Sequence, residues 1–213
     1  MRRKIVQRYN VLNRMIQSKL AVVIRGDTIK EAENVADACI NGGVTTLEVT
    51  FTVPGANKLI ELLASKYEHA LIGAGTVLDS ETARIAMLSG AKFIVSPTFD
   101  INIAKLCNRY SVPYLPGCMT VNEVMQAMAY GVSIVKLFPG QLFSPSFIKN
   151  INGPLPNVHI MPTGGITIDN IQSWLKAGAV LVGVGGEITN PAKNGDYQQI
   201  EALASQFLEK IKE

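Results

Sequence analysis

The chain has 213 residues, 47% of them hydrophobic and 17% charged, with a net charge of +3. That composition suits one globular domain with a large core and argues against an acidic polymer as partner. There is no dense basic patch interleaved with aromatics to mark a nucleic-acid surface, and no apolar run reaches the roughly 20 residues that cross a bilayer.

Residues 1–19 are predicted as an N-terminal helix, with Ile5, Tyr9, Leu12 and Ile16 on one face at helical spacing. The segment also carries Arg2, Arg3, Lys4, Arg8, Arg14 and Lys19 with no acid, which is a transit-peptide composition; its scarcity of serine favours a helix packed on the domain. Leu20–Ile24 then reads as a strand ending at Arg25-Gly26. A helix follows to about Asn41, capped by Asp27 or Thr28, with Glu31 in capping-box position relative to Thr28, and stopped by Gly42-Gly43. Thr45–Thr50 is the next strand, followed by a turn at Pro54-Gly55 and a helix to about Lys66. Ala70–Gly75 is a strand, Asp79–Leu88 a helix and Lys92–Ser96 a strand ending at Pro97. After a helix over 100–110, Val112–Leu115 is a strand ending at Pro116-Gly117, and Thr120–Tyr130 is a helix.

The stretch Gly131 to Gly140 reads as a short buried strand in which Ile134, Lys136 and Phe138 share one face. A lysine among apolar neighbours is costly unless it is paired or loses its proton, and a neutral amine attacks carbonyls. Ser144–Asn150 is helical, and His159–Pro162 is a strand running into Thr163-Gly164-Gly165. Ile168–Ala177 is a helix, Val180–Val184 a strand ending in Gly185-Gly186, and roughly Gly195–Lys210 the last helix.

Strand and helix alternate about eight times, which implies a parallel sheet covered on both faces. Eight units suggest an α/β fold of the closed (β/α)8 TIM-barrel type with an extra N-terminal helix; an open doubly wound sheet is the alternative. No linker or shift in composition divides residues 1–213, so one domain is expected.

Barrel chemistry sits at the C-terminal ends of strands. On the second strand Thr46, Glu48 and Thr50 share a face, so Glu48 and Lys136 can both point inward. An amine and a carboxylate in one dry cavity can form an imine with a ketone and shuttle the protons of carbon–carbon cleavage; a register-fixing buried salt bridge is the plain alternative. Gly164-Gly165 and Gly185-Gly186 fall after the seventh and eighth strands, where barrels often bind phosphate through backbone N–H groups. Thr52, Thr76, Pro97, Phe138 and Thr163 join them at the same rim as expected substrate contacts.

Four motifs, Leu47-Glu48-Val49-Thr50, Gly73-Ala74-Gly75-Thr76-Val77, Val135-Lys136-Leu137-Phe138-Pro139 and Pro162-Thr163-Gly164-Gly165-Ile166, resemble the 2-keto-3-deoxy-6-phosphogluconate (KDPG) / 4-hydroxy-2-oxoglutarate (KHG) aldolase family. The resemblance runs from about Leu20 to the end. It implies a class I aldolase without metal or other cofactor, acting on a small keto acid phosphate and commonly a homotrimer. Lys136 matches its Schiff-base lysine, Glu48 its acid/base residue, Thr76 its carboxylate-binding threonine and Gly164-Gly165 its phosphate cradle, with Gly185-Gly186 contributing. In two places the chain departs from that pattern. Thr52 stands where many members carry an arginine for the pyruvate carboxylate, and Arg25, in an Ile-Arg-Gly like the Leu-Arg-Gly of 6-phosphogalactonate aldolases, is the expected replacement cation. Glu187 stands where many members place a serine that meets the phosphate, and a carboxylate beside a phosphate repels it unless it points away.

The rim residues also admit a phosphate-binding isomerase that forms no imine, or a non-catalytic sugar-phosphate sensor. The three cysteines, Cys39, Cys107 and Cys118, are odd in number, far apart and without metal-ligand spacing, as expected of reduced thiols in a cytoplasmic protein.

Overall fold

The structure is a computed structural model that describes residues 6–213. Of the expected N-terminal helix, Arg2, Arg3, Lys4 and Ile5 lie outside the described residues; helix α1 runs Gln7–Ser18. Eight parallel strands follow: β1 Leu20–Ile24, β2 Thr46–Thr50, β3 Leu71–Gly75, β4 Ile94–Ser96, β5 Tyr114–Cys118, β6 Val135–Leu137, β7 Ile160–Pro162 and β8 Val182–Val184. From β1 to β7 each strand pairs with its neighbour in sequence, and β1 also pairs with β8. The β7–β8 seam is thinner, held by a Thr163–Gly183 bridge and by the Val180 N–H donating to the Ile160 carbonyl at 3.1 Å. The strands thus form a nearly closed (β/α)8 barrel.

The helices between strands are α2 Ile29–Asn41, α3 Ala56–Lys66, α4 Ser80–Leu88, α5 Ile101–Tyr110, α6 Val121–Ala129, α7 Ser146–Asn152 and α8 Ile171–Lys176. After β8 come the single turn α9, Gly186–Thr189, and the long α10, Tyr197–Lys212. Thr28, Asp79, Asp100, Thr120 and Asp196 accept backbone N–H groups at the starts of α2, α4, α5, α6 and α10, which satisfies donors that a helix start leaves orphaned. Among the described residues no helix is long and apolar enough to cross a membrane.

Strand alternation divides the apolar residues into two cores. Outward residues such as Val22, Leu47, Val49, Ile72, Ile94 and Val135 pack under the helices. Inward residues Ala21, Leu71, Phe93, Val95, Leu115, Ile134, Met161 and Leu181 fill the lower barrel together with Val11, Leu12 and Met15 of α1. Helix α1 is therefore the barrel's floor. Its arginines tie it to α5 and to the loops there: Arg8 donates to Asn108 and to the Gly131 carbonyl, and Arg14 to the His69 carbonyl at 2.6 Å. With the lower half filled, any open space lies at the C-terminal mouth.

Of the boundaries that differ from the sequence reading, three have a visible physical cause. β5 does not stop at Pro116-Gly117. Pro116 pairs with Ser96, and Gly117 and Cys118 pair with Lys136 and Leu137, so neighbours on both sides carry the strand through the proline. α8 starts at Ile171 rather than Ile168, because the Asn170 side chain accepts from the Thr167 N–H and donates to the Gly165 carbonyl, holding the glycine loop open past Thr167. α10 starts after Gly195, which sits at φ 70° and ends the preceding turn, with Asp196 as the cap.

Candidate active site

The upper half of the barrel is where inward residues turn polar. Glu48 and Thr50 of β2 face in, as does Lys136 of β6, two positions above Ile134. Lys136 Nζ lies 3.6 Å from Glu48 Oε1, with the two side chains 7% and 1% exposed. The Phe138 ring centroid is 5.0 Å from the same nitrogen, a distance at which an aromatic face attracts a cation. Glu48 Oε2 is buried with no hydrogen-bond partner in the chain, and so is Thr163 Oγ1, just after β7. Buried polar atoms are normally partnered, so the unpartnered carboxylate oxygen beside Lys136 marks a place built for something other than packing.

Glycine makes the room. A Cβ on Gly75 would stand 2.1 Å from Glu48 Oε1, and one on Gly183 would stand 2.3 Å from Thr163 Oγ1. The carboxylate and the hydroxyl occupy space that only glycine leaves free. Just beyond Gly75, Thr76 is held at φ 54°. For a β-branched residue that is a strained conformation, and such strain concentrates at functional sites.

Above the lysine the mouth opens into a cavity of about 240 Å³ lined by Arg25, Phe138, Thr163, Gly164, Gly165, Gly185, Gly186 and Glu187, with Val23, Ile166, Thr167 and Gly183. Arg25 is exposed and shares this space with both glycine pairs, whereas Thr76, its expected partner at the carboxylate, is not among the lining residues. Thr52 is exposed beyond β2 and is bonded to Thr50 at 2.8 Å; Thr50 in turn donates to the Ile24 carbonyl. Pro97 is half-buried, and a Cβ on Gly117, the strand neighbour of Lys136, would meet its carbonyl oxygen at 2.0 Å. The structure therefore encloses Lys136 with Glu48 and sets Phe138 and Thr163 with Arg25 and the four glycines around the mouth cavity, while Thr52 stands apart.

Gln141 was not foreseen. It backs the Thr163-Gly164-Gly165 loop, and its side chain would clash with a Cβ on either glycine. Its position after Pro139-Gly140 reads only as a strand stop. The spacing roles of Gly75 and Gly183 were legible in principle, since both have inward strand parity. Tyr114 was missed too. Its hydroxyl lies 2.7 Å from Ser96 Oγ and accepts from the Asp100 N–H, anchoring the loop that carries Pro97. Burial pushes that phenol up to about 12, so it stays a neutral hydroxyl. Among the described residues no three His, Cys, Asp or Glu side chains are grouped to hold a metal ion.

A parallel (β/α)8 barrel with a buried lysine–carboxylate pair at its C-terminal mouth has the architecture of the barrel enzymes. The family model described as "Aldolase: KDPG and KHG aldolase" matches residues 11–203, and the chain belongs to that family. A 2-dehydro-3-deoxy-phosphogluconate aldolase of Treponema pallidum is 34% identical over 191 residues, covering 88% of this chain and 90% of that one. A 2-dehydro-3-deoxy-6-phosphogalactonate aldolase of Escherichia coli is 29% identical over 196 residues, covering 90% and 96%. Among solved structures, a KDPG aldolase from Legionella pneumophila, described with pyruvate captured as a covalent carbinolamine intermediate, superposes with a TM-score of 0.83 at 31% identity, covering 90% of this chain and 94% of that one.

Proposed function

We propose that this chain is a class I aldolase that cleaves 2-keto-3-deoxy-6-phosphogluconate to pyruvate and glyceraldehyde 3-phosphate, and also 4-hydroxy-2-oxoglutarate to pyruvate and glyoxylate. The observation that carries the reading is the Lys136–Glu48 pair, 3.6 Å apart and enclosed, with the second carboxylate oxygen unpartnered. Lys136 Nζ adds to the C2 ketone, and loss of water gives an iminium. Glu48 takes the proton of the C4 hydroxyl, the C3–C4 bond breaks, and its electron pair enters the iminium to leave an enamine. The aldehyde departs, Glu48 returns a proton to C3, and water releases pyruvate. No metal or organic cofactor enters these steps.

Thr76 holds the carboxylate end, and Arg25, which shares the mouth cavity with the four glycines, supplies a cation to the substrate's distal end rather than to the carboxylate. Gly164, Gly165, Gly185 and Gly186 offer backbone to its distal end, while Pro97, Phe138 and Thr163 wall the reacting carbons and Thr52 borders the rim. A second reading is the galactonate epimer, favoured by Arg25 at the end of β1.

The reading extends to assembly and compartment. Leu78 after β3 and Met119, Val121 and Met125 after β5 are exposed apolar side chains that contact between copies would cover, in support of a homotrimer. Three unpaired, buried cysteines suit a reducing cytoplasm.

The test is pyruvate release, measured as kcat/KM, from the two KDPG-type epimers and 4-hydroxy-2-oxoglutarate, with Lys136→Arg alongside. Wild-type turnover of at least one substrate, abolished in the variant, is expected, since a guanidinium cannot replace a neutral amine. Pyruvate release that survives Lys136→Arg contradicts the imine, and none from any substrate contradicts the aldolase.

A further inference from the structure

The mouth cavity contains an element that an anion cradle alone does not need. Its lining brings together two charged side chains, Arg25 and Glu187, and the glycine pairs Gly164-Gly165 and Gly185-Gly186. Glu187 is exposed, in the first turn after β8, and follows Gly186 directly. No ion pair among the described residues joins it to Arg25, so neither charge is consumed by the other.

The two groups demand different things of a ligand. A guanidinium only donates hydrogen bonds, and an ionised carboxylate only accepts them. A phosphate dianion, which is acceptor-only, satisfies Arg25 and the glycine N–H groups but meets Glu187 as like charge on like charge. A sugar hydroxyl does both: its oxygen accepts from Arg25, and its O–H donates to Glu187. The formal charges of the lining cancel, which suits a neutral polyol end better than a dianion.

We infer that Glu187 is a specificity-determining residue that weakens the hold of this cavity on a phosphate and extends the substrate range to 2-keto-3-deoxy acids whose distal end is a free hydroxyl. The inference rests on the aldolase reading for its substrates but not for its electrostatics. Glu187→Gln keeps the shape and removes the charge. On a phosphorylated 2-keto-3-deoxy acid the variant gains about tenfold in kcat/KM at low ionic strength, the size of one lost like-charge repulsion at the edge of solvent. On the dephosphorylated counterpart it loses activity, because a hydrogen-bond acceptor for the hydroxyl has been weakened. The gain on the phosphorylated substrate shrinks in 0.5 M salt, on the order of a Debye length of 4 Å.

Calorimetric titration with inorganic phosphate reads the same charge without catalysis, and about tenfold tighter binding to Glu187→Gln is expected. Where pyruvate is released, a phosphorylated-to-dephosphorylated preference that stays within twofold of wild type overturns the inference. Where neither substrate yields pyruvate, the aldolase reading falls, and the phosphate titration alone decides: equal affinity in the two proteins overturns the role of Glu187.

Discussion

Lys136 and Glu48 show what parity alone can reveal. Lys136 shares its strand face with Ile134, and Glu48 shares its own with Thr46 and Thr50, so both inward assignments follow from counting by twos. What the count cannot give is the space around them. Gly75 is in the sequence, but that its missing Cβ is where Glu48 Oε1 sits depends on the register Glu48–Gly73 and Thr50–Gly75 between strands far apart in the chain. Gly75→Ala is therefore expected to push the carboxylate off its position and lower kcat by about 10²-fold, the scale of a misplaced acid/base group. The fold should persist, as judged by far-UV circular dichroism. Unchanged turnover in Gly75→Ala would show that the placement of Glu48 is not what sets the rate.

Helix starts capped by a threonine were readable, because their signals are local. Thr28 with Glu31 reads as a box; in the structure Thr28 accepts from the Glu31 N–H at 3.1 Å, but the Glu31 carboxylate accepts from the Asp27 N–H instead of closing the box on Thr28. At α6 the box is complete: Glu123 accepts from the Met119 and Thr120 N–H groups at 2.7 and 2.8 Å while Thr120 accepts from Glu123. Those backbone donors hold the Glu123 carboxyl below its usual range. Thr120→Ala is expected to cost about 1 kcal/mol in urea unfolding. The Glu123 contribution has a definite sign in pH. A depressed folded-state value means stability that is present above the ordinary glutamate range and lost as pH falls through the folded value. The stability gap between wild type and Glu123→Gln should thus close in acid; a gap that widens there contradicts this account. Strand ends were harder to read. Pro116-Gly117 carries a breaker signal, yet two flanking strands hold it in β5, and long-range pairing of that kind leaves no local mark.

At the scale of the whole molecule, the barrel was legible as a rhythm of short apolar strands and amphipathic helices, but how its interior is filled was not. The apolar face of the N-terminal helix indicates that it packs somewhere; only the structure shows Val11, Leu12 and Met15 closing the barrel floor against Phe93, Leu115 and Met161. Met15 is 0% exposed, and Met15→Ala is expected to lose about 2–5 kcal/mol by opening a cavity there. A loss under 1 kcal/mol would mean the floor contributes little. The thiols report on the same closed packing. Burial pushes Cys39, Cys107 and Cys118 up to about 12, so at pH 8 all three are protonated. An aromatic disulfide reagent should find no reactive cysteine until the chain is unfolded; rapid reaction of any one in native protein contradicts the packing described.

The most direct measurement of the central claim is chemical trapping. The protein is incubated with pyruvate, reduced with borohydride, digested and analysed by mass spectrometry. The account predicts a reduced pyruvate adduct on Lys136, absent when either pyruvate or borohydride is withheld. An unmodified Lys136, or an adduct confined to other lysines, would contradict it.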